Sequence, residues 1–154
     1  MLNVLLSSRA LAVFAAASGL LFLLNGCKYE EGPFITFLTA KERLVRSWKY
    51  TEVKRNGASI MDGTTLGSIV YRQSNIGFDR DGRFSSIIAY KGASGTETYD
   101  GSWELYDSER YLVLNYDDPL VKDDTLKFFN LTEKIMHVRN AIGGNAFDYA
   151  LSSK

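Results

Sequence analysis

The stretch Thr98–Tyr106 alternates more cleanly than any other in the chain. Tyr99, Gly101, Trp103 and Leu105 fall on one side, and Asp100, Ser102 and Glu104 on the other. A period of two is incompatible with a helix and describes a strand with one face buried and one in water. Such a strand needs neighbours to pair with and a second layer to cover its apolar face.

From Ser47 onward the chain supplies both, as short stretches of the same kind separated by turn signals. The first is Ser47–Arg55, with Trp48 and Tyr50 on one face. A long connection, Asn56–Gly67, follows and contains Asn56-Gly57 and Asp62-Gly63. Ser74–Arg80 carries Ile76 and Phe78 in phase, and Asp81-Gly82 predicts a tight hairpin into Arg83–Lys91, which alternates Phe84, Ser86, Ile88 and Tyr90. After a Gly/Ser/Thr loop, Gly92–Glu97, comes Thr98–Tyr106. Then follow Arg110–Tyr116, with Leu112, Leu114 and Tyr116 inward, an acidic loop Asp117–Asp124, and Thr125–Leu131. Ile135–Asn140 and Ala146–Leu151 complete the set, the latter with Phe147, Tyr149 and Leu151 in phase after Gly143-Gly144-Asn145. Thr39-Ala40-Lys41-Glu42 is a capping-box sequence and predicts a short helix over Ala40–Arg46. Eight short strands joined in sequence suit an all-β, antiparallel up-and-down barrel, which closes on itself and leaves no free edge. At eight strands the interior is filled by side chains or holds one small ligand.

The first 38 residues read differently. Arg9 precedes fifteen uncharged, mostly apolar residues, Ala10–Leu24, too few for the roughly 20 that a membrane span needs. Leu24-Asn25-Gly26-Cys27 resembles the bacterial lipobox, which makes residues 1–26 a lipoprotein signal peptide and Cys27 the lipid-attachment site. The alternative is an uncleaved anchor helix with an ordinary buried cysteine. Lipid attachment also accounts for a lone cysteine in an exported chain. Residues 27–38 are then a tether, and 39–154 one β-barrel domain, a size that buries a core without disulfides. The acidic pair Glu30-Glu31 after the cysteine resembles a surface-export signal of some Gram-negative lipoproteins. The location implied is the outer membrane, with the periplasmic face and the cell surface both open.

Charge excludes one class of partner. The chain has 18 basic and 18 acidic residues, and losing Arg9 leaves the mature part at −1. No basic excess is available to neutralise phosphates, so no nucleic-acid binding is expected.

The segment Lys41-Glu42-Arg43-Leu44-Val45-Arg46-Ser47-Trp48-Lys49, the hairpin Ile76-Gly77-Phe78-Asp79-Arg80-Asp81-Gly82-Arg83-Phe84 and the strand Gly101-Ser102-Trp103-Glu104 together resemble the lipocalin-like lipoproteins of Gram-negative bacteria. In such domains a short helix leads into a first strand with a tryptophan near its start, the place Trp48 occupies. Lipocalins proper carry Gly-x-Trp there, and this chain has Arg46-Ser47-Trp48. The resemblance implies a barrel, a non-enzymatic role and a small apolar ligand. It also implies a mobile lid over the open end, at the position of Asn56–Gly67.

Candidate lining residues are Trp48, Tyr50, Phe78, Phe84, Trp103, Phe128 and Tyr149. They either wall an apolar pocket or simply fill the barrel, since aromatics dominate cores in general. In the second case the domain is a structural or protein-interaction module binding another envelope component. Little supports catalysis. His137, the only histidine, is expected to point to solvent between inward Met136 and Val138, and no nucleophile elbow, HExxH or phosphate loop occurs. A hydrolase built around His137 is the third hypothesis. Neither a metal nor a cofactor is expected. Asp117, Asp118, Asp123 and Asp124 do not match a calcium loop and read as a solvated connection. Asp124-Thr125-Leu126 resembles a three-residue O-glycosylation site of some of the same bacteria.

Overall fold

The computed structural model describes residues 38–61, 69–91 and 96–154. Cys27, the expected signal peptide and tether up to residue 37, and the part of the expected lid from residue 62 to 67 lie outside the described residues.

The chain enters the domain through a one-turn helix, α1 (Ala40–Leu44). Thr39 is its N-cap: its hydroxyl accepts from Glu42 N at 3.2 Å, and the Glu42 carboxylate accepts from Thr39 N at 2.7 Å. This reciprocal pair satisfies two amides that the helix leaves without partners. The helix stops two residues short of the expected Arg46, because Val45 leaves helical backbone (ψ 84°) and the chain turns into the first strand.

Among the described residues nine strands follow: β1 (Ser47–Arg55), β2 (Ala58–Ser59), β3 (Asn75–Phe78), β4 (Arg83–Ala89), β5 (Thr96–Tyr106), β6 (Tyr111–Tyr116), β7 (Asp124–Leu131), β8 (Ile135–Ile142) and β9 (Asn145–Ser153). From β3 to β9 each strand pairs antiparallel with the next. The first strand closes the ring. Its opening residues pair with β3 (Trp48↔Ile76), and it runs beside β9 from Trp48↔Ser153 to Arg55↔Phe147. Strands β1 and β3–β9 thus form the closed, eight-stranded up-and-down barrel that the alternation implies. The ninth, β2, is a two-residue hairpin off the end of β1, inside what the sequence suggests is one long connection. A 3-10 turn, Tyr71–Gln73, leads into β3. Thr96 and Glu97, expected in a loop, begin β5, and Asp124 begins β7.

Turn chemistry sets these junctions. Asn56-Gly57 and Gly143-Gly144 are two-residue loops with positive φ at both positions, the conformation whose twist matches a hairpin. The two tips are stitched together: Asn56 Nδ2 donates to Asn145 Oδ1 at 2.9 Å, and Asn56 Oδ1 accepts from Ala146 N at 2.9 Å.

Two bulges keep apolar residues inward where strict alternation would turn them out. Against β9 the register of β1 slips between Tyr50 and Glu52, so Thr51 is the extra residue. Trp48, Tyr50 and Val53 therefore all face inside, and Glu52 faces out. In β7 the slip falls between Phe128 and Asn130, so Phe128 and Leu131 both reach the core. Phe129 is left outside, flanked by Lys127 Nζ and the Arg139 guanidinium, 4.7 and 4.9 Å from its ring centre.

One end of the barrel is solid. Ala40 and Leu44 of α1 press onto Trp48, Leu112, Phe128, Leu131 and Met136, all essentially inaccessible. Arg43 is buried with them and is tolerated because its Nη1 donates to the Leu131 carbonyl at 2.5 Å. Trp48 Nε1 donates to the Leu44 carbonyl at 2.9 Å, tying strand to helix.

Candidate functional site

Away from the helix the barrel is hollow. A cavity of about 490 Å³ opens there, walled by the later inward residues of β1, β4, β6 and β8, the early ones of β5, β7 and β9, the turn around Tyr71, and the Leu120–Lys122 loop. This lies within the size range of small-molecule pockets. Its floor is apolar, with Ile76, Phe78, Leu114, Leu126, Met136, Val138 and Leu151 forming the boundary with the packed end.

Six of the lining residues are tyrosines: Tyr50, Tyr71, Tyr90, Tyr99, Tyr116 and Tyr149. Three of them form a cluster, with edge-to-face ring pairs Tyr50–Tyr71 at 5.5 Å, Tyr50–Tyr149 at 5.9 Å and Tyr71–Tyr149 at 6.3 Å. Their hydroxyls make no hydrogen bond to any described residue, and each can both donate to and accept from a guest. Burial pushes the phenols of Tyr50, Tyr71 and Tyr149 above their ordinary range, and all three stay neutral at physiological pH. Tyr50 lies deep in the barrel, and the surface it keeps is cavity wall.

The other tyrosines are held by acids. Tyr116 Oη donates to Asp124 Oδ2 at 3.1 Å, and Asn140 Nδ2 donates to Asp124 Oδ1 at 2.8 Å. Burial first, then the Asp124 charge, raises the Tyr116 phenol. Near the rim, Tyr99 Oη donates to Glu97 Oε2 at 2.5 Å, the main reason its phenol also rises. Tyr90 Oη lies 3.1 Å from the same oxygen.

The seven candidate lining residues divide between the two ends. Tyr50, Phe78 and Tyr149 line the cavity. Trp48, Phe84, Trp103 and Phe128 sit in the packed core, where Phe78 meets Trp103 edge-on at 5.9 Å. Tyr90, Tyr99 and Tyr116 share the inward phase of their strands, which the sequence displays without telling how far along the barrel each one lies. No periodic signal marks Tyr71, on its 3-10 turn, and Asp124, though in phase with Leu126 and Phe128, stands at the end of an acidic run.

The four acids of that run diverge. Asp117 pairs with Arg83, Asp118 Oδ1 accepts from Leu120 N at 2.9 Å, Asp123 Oδ1 accepts from Tyr116 N at 3.0 Å, and Asp124 faces the cavity. Among the described residues no three of His, Cys, Asp and Glu converge to hold a metal. His137 lies half-exposed on the outer wall, in a shallow depression shared with Glu52, Arg139 and Asp148, and away from the cavity.

No family model matches the chain, and no curated protein does. Among solved structures it is similar to bovine odorant binding protein in complex with a selenium-containing odorant. Identity there is 12% over 78% of this chain and 75% of that one, with a TM-score of 0.45. It is also similar to a deswapped triple mutant of bovine odorant binding protein, at 13% identity over 73% and 74%, with a TM-score of 0.43. The barrel assignment itself rests on the strand pairings above.

Proposed function

We propose that this chain is a lipid-anchored envelope protein whose barrel binds a small, largely apolar ligand without transforming it. The observation that carries the binding half is the cavity of about 490 Å³ with an apolar floor and, on its walls, three tyrosine hydroxyls that make no hydrogen bond to any described residue. A filled barrel, as a purely structural module would have, offers no such space. The described side chains around the cavity include no nucleophile poised beside a base, which favours carrying over catalysis.

The anchoring half rests on sequence. In this reading residues 1–26 are removed, Cys27 carries the lipid, and residues 28–38 tether the barrel to the outer membrane, on its periplasmic face or at the cell surface. Several acyl chains on one cysteine hold a protein stably where a single chain does not.

Mass spectrometry of small molecules released from the purified full-length protein tests the first half. A stoichiometric apolar compound is expected, and its absence together with failure to bind any neutral aromatic probe overturns the ligand reading. Cys27→Ala tests the second half: acyl labelling is lost and the domain leaves the membrane fraction. A variant that stays membrane-bound and uncleaved sinks the signal-peptide reading.

A further inference from the structure

The lining of the cavity carries a sign of charge. Asp124 is the only acidic and Lys122 the only basic residue among the described lining side chains. They are not equivalent. Lys122 is exposed on the loop at the mouth, whereas Asp124 is half-buried on the first inward position of β7. Each Asp124 oxygen accepts one neutral hydrogen bond, from Asn140 or Tyr116, which leaves lone pairs free on both. No described cation pairs with it. A half-buried carboxylate given only neutral partners keeps a charge that no described cation offsets, and a cation delivered by a guest would pair with it.

The walls suit the same guest. Tyr50, Tyr116 and Tyr149 line the same cavity as Asp124 and lie within reach of its charge, and tyrosine faces attract organic cations. Their hydroxyl oxygens can accept from an ammonium N–H. The Asp124 charge adds to the rise of all three phenols. An anionic guest would meet this field inside and find its only counter-charge, Lys122, out in water.

We propose that the ligand is a protonated amine with an apolar or aromatic body, its ammonium seated against Asp124 and its body over the floor of Ile76, Phe78 and Leu114. This inference rests on the reading of the cavity as a ligand site.

Calorimetric titration of the full-length protein at neutral pH with 2-phenylethylammonium, 2-phenylethanol and 3-phenylpropanoate separates the two. The three probes share a body and differ in charge. The ammonium is expected to bind about tenfold or more tighter than the alcohol, the margin of a charge-assisted hydrogen bond, and the carboxylate weakest. Asp124→Asn, whose one oxygen still accepts from Asn140 Nδ2 while its new amide N–H can donate to Tyr116 Oη, is expected to bring the ammonium down to the level of the alcohol. Binding of the alcohol or the carboxylate as tightly as the ammonium overturns the amine inference while the ligand site stands. Binding of none of the three overturns both. The ordering in the unmodified protein decides the matter even if Asp124→Asn does not fold.

Discussion

Trp48 Nε1 and the Leu44 carbonyl, 2.9 Å apart, join the first strand of the barrel to the last residue of the helix that plugs it. The indole thereby satisfies a carbonyl that the end of a helix leaves without an amide partner, and it does so inside the core, where water cannot substitute. Trp48→Phe is expected to keep the fold and lose about 2–3 kcal/mol of stability, from an orphaned carbonyl plus a small void. Urea denaturation with an unchanged m-value checks this. A loss below about 0.5 kcal/mol would mean that the contact contributes little.

Gly101 sits where no side chain fits. A Cβ there would lie 2.5 Å from the edge of the Phe84 ring and closer still to the Asn115 carbonyl oxygen. The bare backbone lets Phe84 pack across β5 and meet Tyr116 edge-on at 5.3 Å. Gly101→Ala is expected to cost about 1–3 kcal/mol through overpacking, read as a lowered melting temperature.

Ser86 is the complementary case: buried, inward and facing empty space. Ser86→Phe is expected to occupy part of the cavity with little change in melting temperature and to weaken binding of neutral aromatic probes about tenfold or more, since a guest competes for the same volume. Undiminished binding in a folded variant would place the guest elsewhere.

The capping box gives a pH dependence. The backbone amide of Thr39, and then its hydroxyl, hold the Glu42 carboxyl below its ordinary 4.5. The folded state therefore prefers the ionised acid. The resulting stabilisation is present above 4.5 and is lost as pH falls through the lower folded value. The stability gap between the natural protein and Glu42→Gln is expected to be open at neutral pH and to close in acid. A gap independent of pH would show that the charge contributes nothing.

The alternation of Thr98–Tyr106 leads directly to β5, and the phase of each strand correctly separates inside from outside at Phe84, Leu112, Met136 and Leu151. Phase breaks down where the backbone inserts a residue. After Trp48 and Tyr50, strict alternation would turn Glu52 inward, and only the bulge at Thr51 restores Val53 to the interior. Nor does phase measure distance along the barrel axis. Trp48 and Tyr50 share a face two residues apart, yet one is packed under the helix and the other borders the cavity. That is why the aromatic residues chosen by type alone divide between core and cavity. Asp124 was hidden for another reason: three acids before it, all outward or committed to loop contacts, make it look like the end of a solvated run.

Lys154 lies beside the point where the barrel begins. The amide of Lys154 donates to the Ser47 carbonyl at 3.1 Å, one residue beyond the Trp48↔Ser153 pair, on the side plugged by α1. Anything fused after Lys154, whether a fluorescent reporter or a peptide for coupling to a sensor surface, therefore emerges at the solid end. Protein immobilised that way presents its cavity outward, and the fusion leaves access to the cavity unobstructed.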